Sequence, residues 1–261
     1  MTTRIKFLGV AAYEVVGPEH RILMDPFLSG NPAAPIGPDD IETPDVILVS
    51  HAAWDHLGDT ATIALRTGAP VVCGADVGAV LREAGIPAGQ IRPTIWGICV
   101  EVGGVVVRAV ESHHWSSATL KSGETVSGMP LGFIVETTPG IRVYHCGDSA
   151  IFGDMRLLGE LYKPTVGLLG CTQPKAILSR APWAGRVLTG EMSPREAALA
   201  AEMLGVQLAI ASHYTEPDDE DVVEFCHLVR SLDTTGRREA IALAPGETLV
   251  IDGASWRKEQ V

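Results

Sequence analysis

The sequence predicts an α/β sandwich, two sheets packed face to face with helices on their outer sides. Three observations carry this. Short apolar segments of strand character recur in both halves of the 261 residues. Helical stretches with recognisable start and stop signals lie between them. The balance of 46% hydrophobic against 20% charged residues is enough to bury a sizeable core and excludes intrinsic disorder. No repeat and no Pro/Gly/Ser linker divides the chain, so one domain over residues 1–261 is expected.

In chain order, strands are expected at Ile5–Leu8, Ala12–Val16, Ile22–Met24, Val46–Val49 and Val71–Cys73, each closed by Gly, Pro or Asp. Helices are expected at Asp59–Thr67, stopped by Gly68, and at Asp76–Ala84, stopped by Gly85. The second half offers strands at Val105–Val110, Gly132–Glu136, Arg142–His145, Val166–Leu169 and Leu208–Ser212. Ser193–Leu204 reads as a helix: Ser193 caps it, Pro194 suits its first position, Glu196 completes a capping box and Gly205 ends it. Val222–Leu232 is a further helix, with Val222, Phe225, Cys226, Val229 and Leu232 on one face.

The charge balance bounds the partners. Twenty basic and 32 acidic residues give −12 at neutral pH, which disfavours nucleic acid and anionic membrane alike. The five cysteines (73, 99, 146, 171 and 226) form no CxxC pair, which argues against a disulfide framework and suits a reducing cytosol. The first residues carry no signal-peptide pattern, and no apolar run approaches the ~20 residues that span a bilayer. A cytoplasmic protein, with a homo-oligomer left open, is the simplest expectation.

The informative residues lie where strands end. Four separate strand ends deliver His or Asp: Ser50–Asp59, Glu111–Ser116, Cys146–Ser149 and His213-Tyr214. Singly, each reads as a turn, a cap or a hydrogen-bonded histidine, as His20 and His227 do. Together, imidazoles and carboxylates arriving from distant parts of a chain suit a divalent metal.

These segments resemble a metallo-β-lactamase-fold hydrolase, and more narrowly the branch containing L-ascorbate-6-phosphate lactonase. The matching pieces are Ile22–Pro32, His51–Asp59, Tyr144–Ser149 with Ile151–Met155, Met192–Leu204 and Ser212–Tyr214. The resemblance implies an αββα four-layer sandwich with one or two divalent ions, zinc or manganese first and iron as a further option, at one edge of the sheets. It implies His51 and His114 at one metal position, with His113 as the alternative to His114. It implies Asp55, His56 and His213 at the other, and Asp148 as the bridge. Asp55 and Asp148 are the candidates for holding and deprotonating water, and Asp25 for orienting a ligand histidine from behind.

Two residues depart from the family. Ala53 stands where the second histidine of His-x-His-x-Asp-His belongs, and Val10 where histidine is frequent. Ala53 reads as a mononuclear enzyme, as a disabled variant, or as a site where His113 substitutes. We expect metal mainly at Asp55, His56, Asp148 and His213. A further stretch, Leu161–Gly190, holds Lys163, Lys175, Arg180 and Arg186 and no acid. Its part 171–188 reads as a long lid loop, with Lys175, Arg180, Trp183 and Arg186 meeting an anionic small-molecule substrate. Three function classes follow. They are a metal-dependent hydrolase of a small lactone, ester or phosphoester; a catalytically degenerate metabolite-binding protein; and a cysteine-dependent enzyme using Cys146 or Cys171.

Overall fold

Seventeen strands are present among the residues the structure describes, which in this computed structural model are 1–172, 174 and 190–259. They are β1 (Thr2–Phe7), β2 (Tyr13–Val16), β3 (Arg21–Met24), β4 (Val46–Leu48), β5 (Val71–Cys73), β6 (Ile91–Pro93), β7 (Cys99–Val102) and β8 (Val105–Glu111). There follow β9 (Ser116–Thr119), β10 (Thr125–Gly128), β11 (Leu131–Thr138), β12 (Ile141–His145), β13 (Val166–Gly170), β14 (Leu208–Ser212), β15 (Glu239–Ile241), β16 (Thr248–Asp252) and β17 (Ser255–Glu259). The helices are α1 (Trp54–Leu57), α2 (Thr60–Thr67), α3 (Ala75–Glu83), α4 (Met155–Tyr162), α5 (Pro194–Leu204) and α6 (Glu220–Leu232).

The strands build an eight-stranded sheet in the order β17-β16-β1-β2-β3-β4-β5-β6 and a seven-stranded sheet in the order β15-β14-β13-β12-β11-β8-β7, with β9 and β10 forming a small hairpin. Each large sheet is antiparallel on one side and parallel on the other: β3 to β6 run parallel in the first, β12 to β15 in the second. Alternation along β1 sends Thr3, Ile5 and Phe7 inward. The parallel strands, covered on both faces, are apolar throughout, as the buried runs of β4, β5, β13 and β14 show.

Four layers result. Between the sheets, Ile5, Phe7, Tyr13 and Met24 of the first pack with Val107, Phe133, Val143 and Leu168 of the second. On the outer face of the first sheet, Ile63 of α2 and Val77 and Leu81 of α3 close over Leu23, Ile47 and Val71. Outside the second sheet lie α5, with an alanine face (Ala197, Ala198, Ala200, Ala201), and α6, with Val222, Phe225 and Val229. The expected sandwich and its αββα layering are therefore present.

The cap signals are mostly realised. Ser193 and Glu196 form a reciprocal capping box, Pro194 opens α5, and Gly205 closes it in the left-handed region at φ +69°. Asp59 departs from expectation. It stands at the N-cap of α2, but its carboxylate accepts from the backbone N–H groups of Leu28 and Ser29, pinning the loop after β3. The expected lid residues Lys175, Arg180, Trp183 and Arg186 lie outside the described residues. No helix among the described residues is long and apolar enough to cross a membrane.

Candidate metal centre

The site residues arrive at the carboxyl ends of parallel strands from both sheets, the edge where α/β sheets bind ligands. β3 runs into Asp25, β4 into Ser50 and His51, β12 into Asp148, and β14 into His213. The one-turn helix α1 adds Asp55 and His56, both buried. It is anchored by Trp54, whose ring meets Phe27 edge-on with centroids 5.0 Å apart. It is closed by Gly58 at φ +41°, where a Cβ would stand 2.4 Å from the Pro26 carbonyl oxygen. Gly147, at φ +57°, lets the turn carrying Asp148 approach Ser50, whose Cβ a side chain there would meet at 2.6 Å.

Asp148 lies between the histidines. Its Oδ1 is 2.9 Å from His56 Nε2 and 3.6 Å from His213 Nε2. Its Oδ2 is 3.8 Å from His51 Nε2 and 3.7 Å from His114 Nε2. Asp55 Oδ2 is 3.4 Å from His213 Nε2. The two oxygens of one carboxylate thus face two sets of imidazoles.

All four rings are held the same way round, with Nδ1 used outward and Nε2 turned to Asp148. His51 Nδ1 meets Ser50 Oγ at 3.0 Å, His56 Nδ1 meets Asp25 Oδ2 at 2.8 Å, His114 Nδ1 meets the Gly190 carbonyl at 2.7 Å, and His213 Nδ1 meets Glu191 Oε1 at 2.9 Å. Ser50 donates its hydroxyl proton to Asp25, so it accepts from His51 Nδ1–H, which leaves the His51 Nε2 lone pair aimed at a carboxylate. Such outward partners orient metal-ligand histidines and fix their tautomer.

The cluster passes a test of fit for a divalent ion. His51 Nε2, His56 Nε2, His213 Nε2 and Asp148 Oδ1 are all buried without a hydrogen-bond partner, although His56 Nε2 and Asp148 Oδ1 lie so close. Lone pairs that face one another in a dry site are satisfied by a proton or a metal cation between them, and this donor set of imidazoles and carboxylates suits a divalent ion. Three groups of candidate ligand atoms come within 4.8 Å of one another: His51, His56 and Asp148; Asp55, His56 and His213; and Asp148, Glu191 and His213. His114 belongs to none of them.

The electrostatics agree. Burial alone would favour neutral imidazoles at His56 and His213. The charges of Asp148 with Asp25, and of Asp148 with Glu191, nevertheless raise the basicity of both rings well above the ordinary range. Burial opposes charge on Asp148 too, yet the surrounding histidines, His213 and His56 foremost, hold its carboxyl well below the usual value. A field that keeps protons on two histidines would equally hold a divalent cation. His51 differs: burial, and then the charge of His56, push it down to about 3, so it is a neutral lone-pair donor.

Asp25 lies behind the cluster and meets more than one histidine. It accepts from His56, from His145 at 2.7 Å, and from both the N–H and hydroxyl of Ser50, at a left-handed φ of +43°. Val10 and His213 are also left-handed and hold each other, His213 N–H donating to the Val10 carbonyl at 2.8 Å. Valine in that region is a strained choice, of the kind that persists where surrounding structure over-determines it.

His113 does not join the cluster. It is 45% exposed, pairs with Glu111 at 2.6 Å and stacks on Phe152, whereas His114 Nε2 faces Asp148 at 3.7 Å. Cys146 and Cys171 are buried, the first bonded through Sγ to the Gly147 carbonyl. Burial pushes the Cys146 thiol up to about 12 and Cys171 well above its ordinary value, so neither supplies a thiolate nucleophile and the cysteine reading is set aside.

Glu191 is the residue sequence reasoning missed. It is buried, and burial followed by the charge of Asp148 pushes its carboxyl up to about 8. The available signal was weak: it is the first acid after the acid-free stretch, directly ahead of the Met192–Leu204 segment.

Residues 20–214 match the family described as Beta-lactamase superfamily domain. The chain belongs to this superfamily and, within it, to the UPF0173 family of metal-dependent hydrolases. It is 40% identical over 214 residues to a UPF0173 metal-dependent hydrolase of Rubrobacter xylanophilus, covering 81% of each chain. It is 38% identical over 248 residues to another from Methanopyrus kandleri, covering 94% of this chain and 98% of that one. A solved metallo hydrolase from the archaeon Ignicoccus hospitalis superposes with a TM-score of 0.75 at 25% identity, over 97% of this chain and 99% of that one.

Proposed function

We propose that the protein hydrolyses a small lactone, ester or phosphoester with the aid of one firmly held divalent ion. Asp55, His56, Asp148 and His213 would hold that ion, zinc or manganese by the chemistry of the donors. His51 and His114 contribute a second, weaker position. The observation that carries the reading is the set of buried, partnerless Nε2 atoms around the split carboxylate of Asp148.

A divalent ion supplies Lewis-acid polarisation and hydroxide at neutral pH. The chain's own residues do the rest. Asp148 and Asp55 accept hydrogen bonds from the attacking water and orient it. As the water oxygen adds to the acyl carbon or phosphorus, Asp55 takes its proton. When the C–O or P–O bond breaks, the same proton passes to the leaving oxygen. Asp25 and Glu191 keep His56 and His213 in register through Nδ1.

The reading that the substrate is anionic rests on Lys175, Arg180 and Arg186. The lactonase-like branch is supported by the quoted sequence segments alone. A panel of lactones, carboxylic esters and phosphodiesters, assayed before and after chelation and re-addition of zinc or manganese, tests the proposal. Hydrolysis lost with chelation and restored by metal supports it; hydrolysis indifferent to chelation contradicts it. Ala53 favours a second reading, a degenerate metabolite-binding protein. A metal-loaded chain inert on the whole panel both as it stands and as Ala53→His would select that reading.

A further inference from the structure

His51 and His114, the two rings of the weaker metal position, arrive on separate segments: His51 after β4, and His114 between β8 and β9. The rings meet edge-on with centroids 4.9 Å apart. One hydroxyl joins the two segments. Ser116, buried and two residues after His114, accepts at Oγ from the backbone N–H of Ala52, the residue after His51, at 3.0 Å. The peptide on the other side of His51 is held too, because the Ser50 carbonyl accepts from the Leu131 N–H of β11 at 2.8 Å. Both peptide planes that flank His51 are thus fixed from outside its own sheet. A hydroxyl can rotate and exchange its donor and acceptor roles. Here its direction is set by Asp76, in the first turn of α3, whose carboxylate accepts the Ser116 hydroxyl proton and leaves the oxygen lone pair for Ala52.

Asp76 is only 3% exposed, and its Oδ1 has no hydrogen-bond partner among the described residues, a costly state for a carboxylate. The surroundings are shaped to admit it. Gly128 stands opposite Ser116 in the β9–β10 pair, and a Cβ there would collide with Asp76 Oδ1; a Cβ at Gly74 would come within 2.7 Å of the same atom. The N-terminal turn of α3 favours negative charge, which accounts for the tolerance of this carboxylate but not for its aim at Ser116. We propose that Asp76 and Ser116 are positioning residues for the second metal position. Ser116, its hydroxyl turned by Asp76, sets how His51 and His114 face each other and so how tightly that position holds an ion. The inference rests on the hydrolase reading above and deepens its metal centre. It concerns one position only, since His56 and His213 are steadied by Asp25 and Glu191 rather than by Ser116.

The test is calorimetric titration of the metal-free chain with zinc chloride in three forms: as it stands, as Asp76→Asn, and as the Asp76→Asn/Ser116→Ala double variant. Ser116→Ala alone would strand a buried charge and endanger folding, which the Asp76→Asn background avoids. In the double variant the affinity for the second zinc ion should fall by about 10- to 100-fold, as it does on loss of such outer partners, while the affinity for the first is unchanged. Asp76→Asn keeps an acceptor for the hydroxyl and should lower second-ion affinity by less than the double variant does. Second-ion affinity unchanged in the double variant overturns the proposal. So does a loss shared equally by the first ion, which would mark a merely structural role. A chain that takes up one zinc ion and no second overturns the proposal and leaves the hydrolase reading standing; one that takes up none overturns both.

Discussion

Asp148 presents Oδ1 to His56 and His213 and Oδ2 to His51 and His114, and each of those rings is steadied from behind by a different partner. Removing such a partner leaves a ligand in place but loosens it. Glu191→Gln is therefore expected to lower metal affinity by about 10- to 100-fold, read by competition with a chromophoric chelator, while the denaturation midpoint of the metal-free chain changes little. Ala53 acts in the opposite sense. It stands at the start of α1, its carbonyl accepting from the N–H of His56 and Leu57, and its methyl group donates nothing to the cluster. Ala53→His should raise the amount of metal retained after dialysis, and an unchanged amount would show that this position is not what limits it. At this scale the sequence was informative wherever a histidine or aspartate ended an apolar strand. It was uninformative for Glu191, because a glutamate ahead of a helix cap ordinarily faces water, and only closure of the fold against β14 buries it. The choice between His113 and His114 likewise depended on where the segment between β8 and β9 turns.

The elements that hold these residues were legible in proportion to their burial. The central strands β3, β4, β5, β12, β13 and β14 announce themselves as short apolar runs because helices or the other sheet cover both faces. The strands that went unread are short or lie at or near sheet edges. β17 spells Ser-Trp-Arg-Lys-Glu and is largely exposed, and only Ile91 of β6 is buried, so no apolar alternation survives in them; β7 alternates, with Val100 and Val102 turned inward, but is only four residues long at the sheet edge. Helix α4 also escaped, since Leu157 and Leu161 face solvent and blur its pattern. Two predictions belong here. Ser193→Ala removes the hydroxyl of the α5 capping box and should lower unfolding free energy by about 1 kcal/mol in urea titration. Gly58→Ala places a Cβ against the backbone of Pro26 and Phe27 at a left-handed φ. It should destabilise by more than ~1 kcal/mol and displace α1, so that metal affinity falls along with the denaturation midpoint.

Across the whole molecule, the centre joins the two sheets. His51, Asp55 and His56 come from the first, Asp148 and His213 from the second, and Tyr13 of the first donates to the Ala211 carbonyl of the second at 2.9 Å just behind them. An ion bound there ties both layers and favours the folded state by mass action, by about 2.7 kcal/mol at a hundredfold excess over Kd. The melting temperature should therefore rise with zinc or manganese and fall with chelator. The burial of Cys73, Cys146 and Cys171 leaves Cys99 as the exposed thiol, so mild alkylation should label Cys99 first and leave hydrolysis intact. The fold class was legible from the repeated strand and helix pattern in both halves.

The central claim is that Asp55, His56, Asp148 and His213 hold one divalent ion firmly while the position of His51 and His114 is weak. Metal content of the purified chain after exhaustive dialysis against metal-free buffer tests this most directly. About one zinc or manganese ion per chain is expected to remain, and to be lost in Asp148→Asn. A chain that retains no metal, or one that retains two ions per chain, would contradict it.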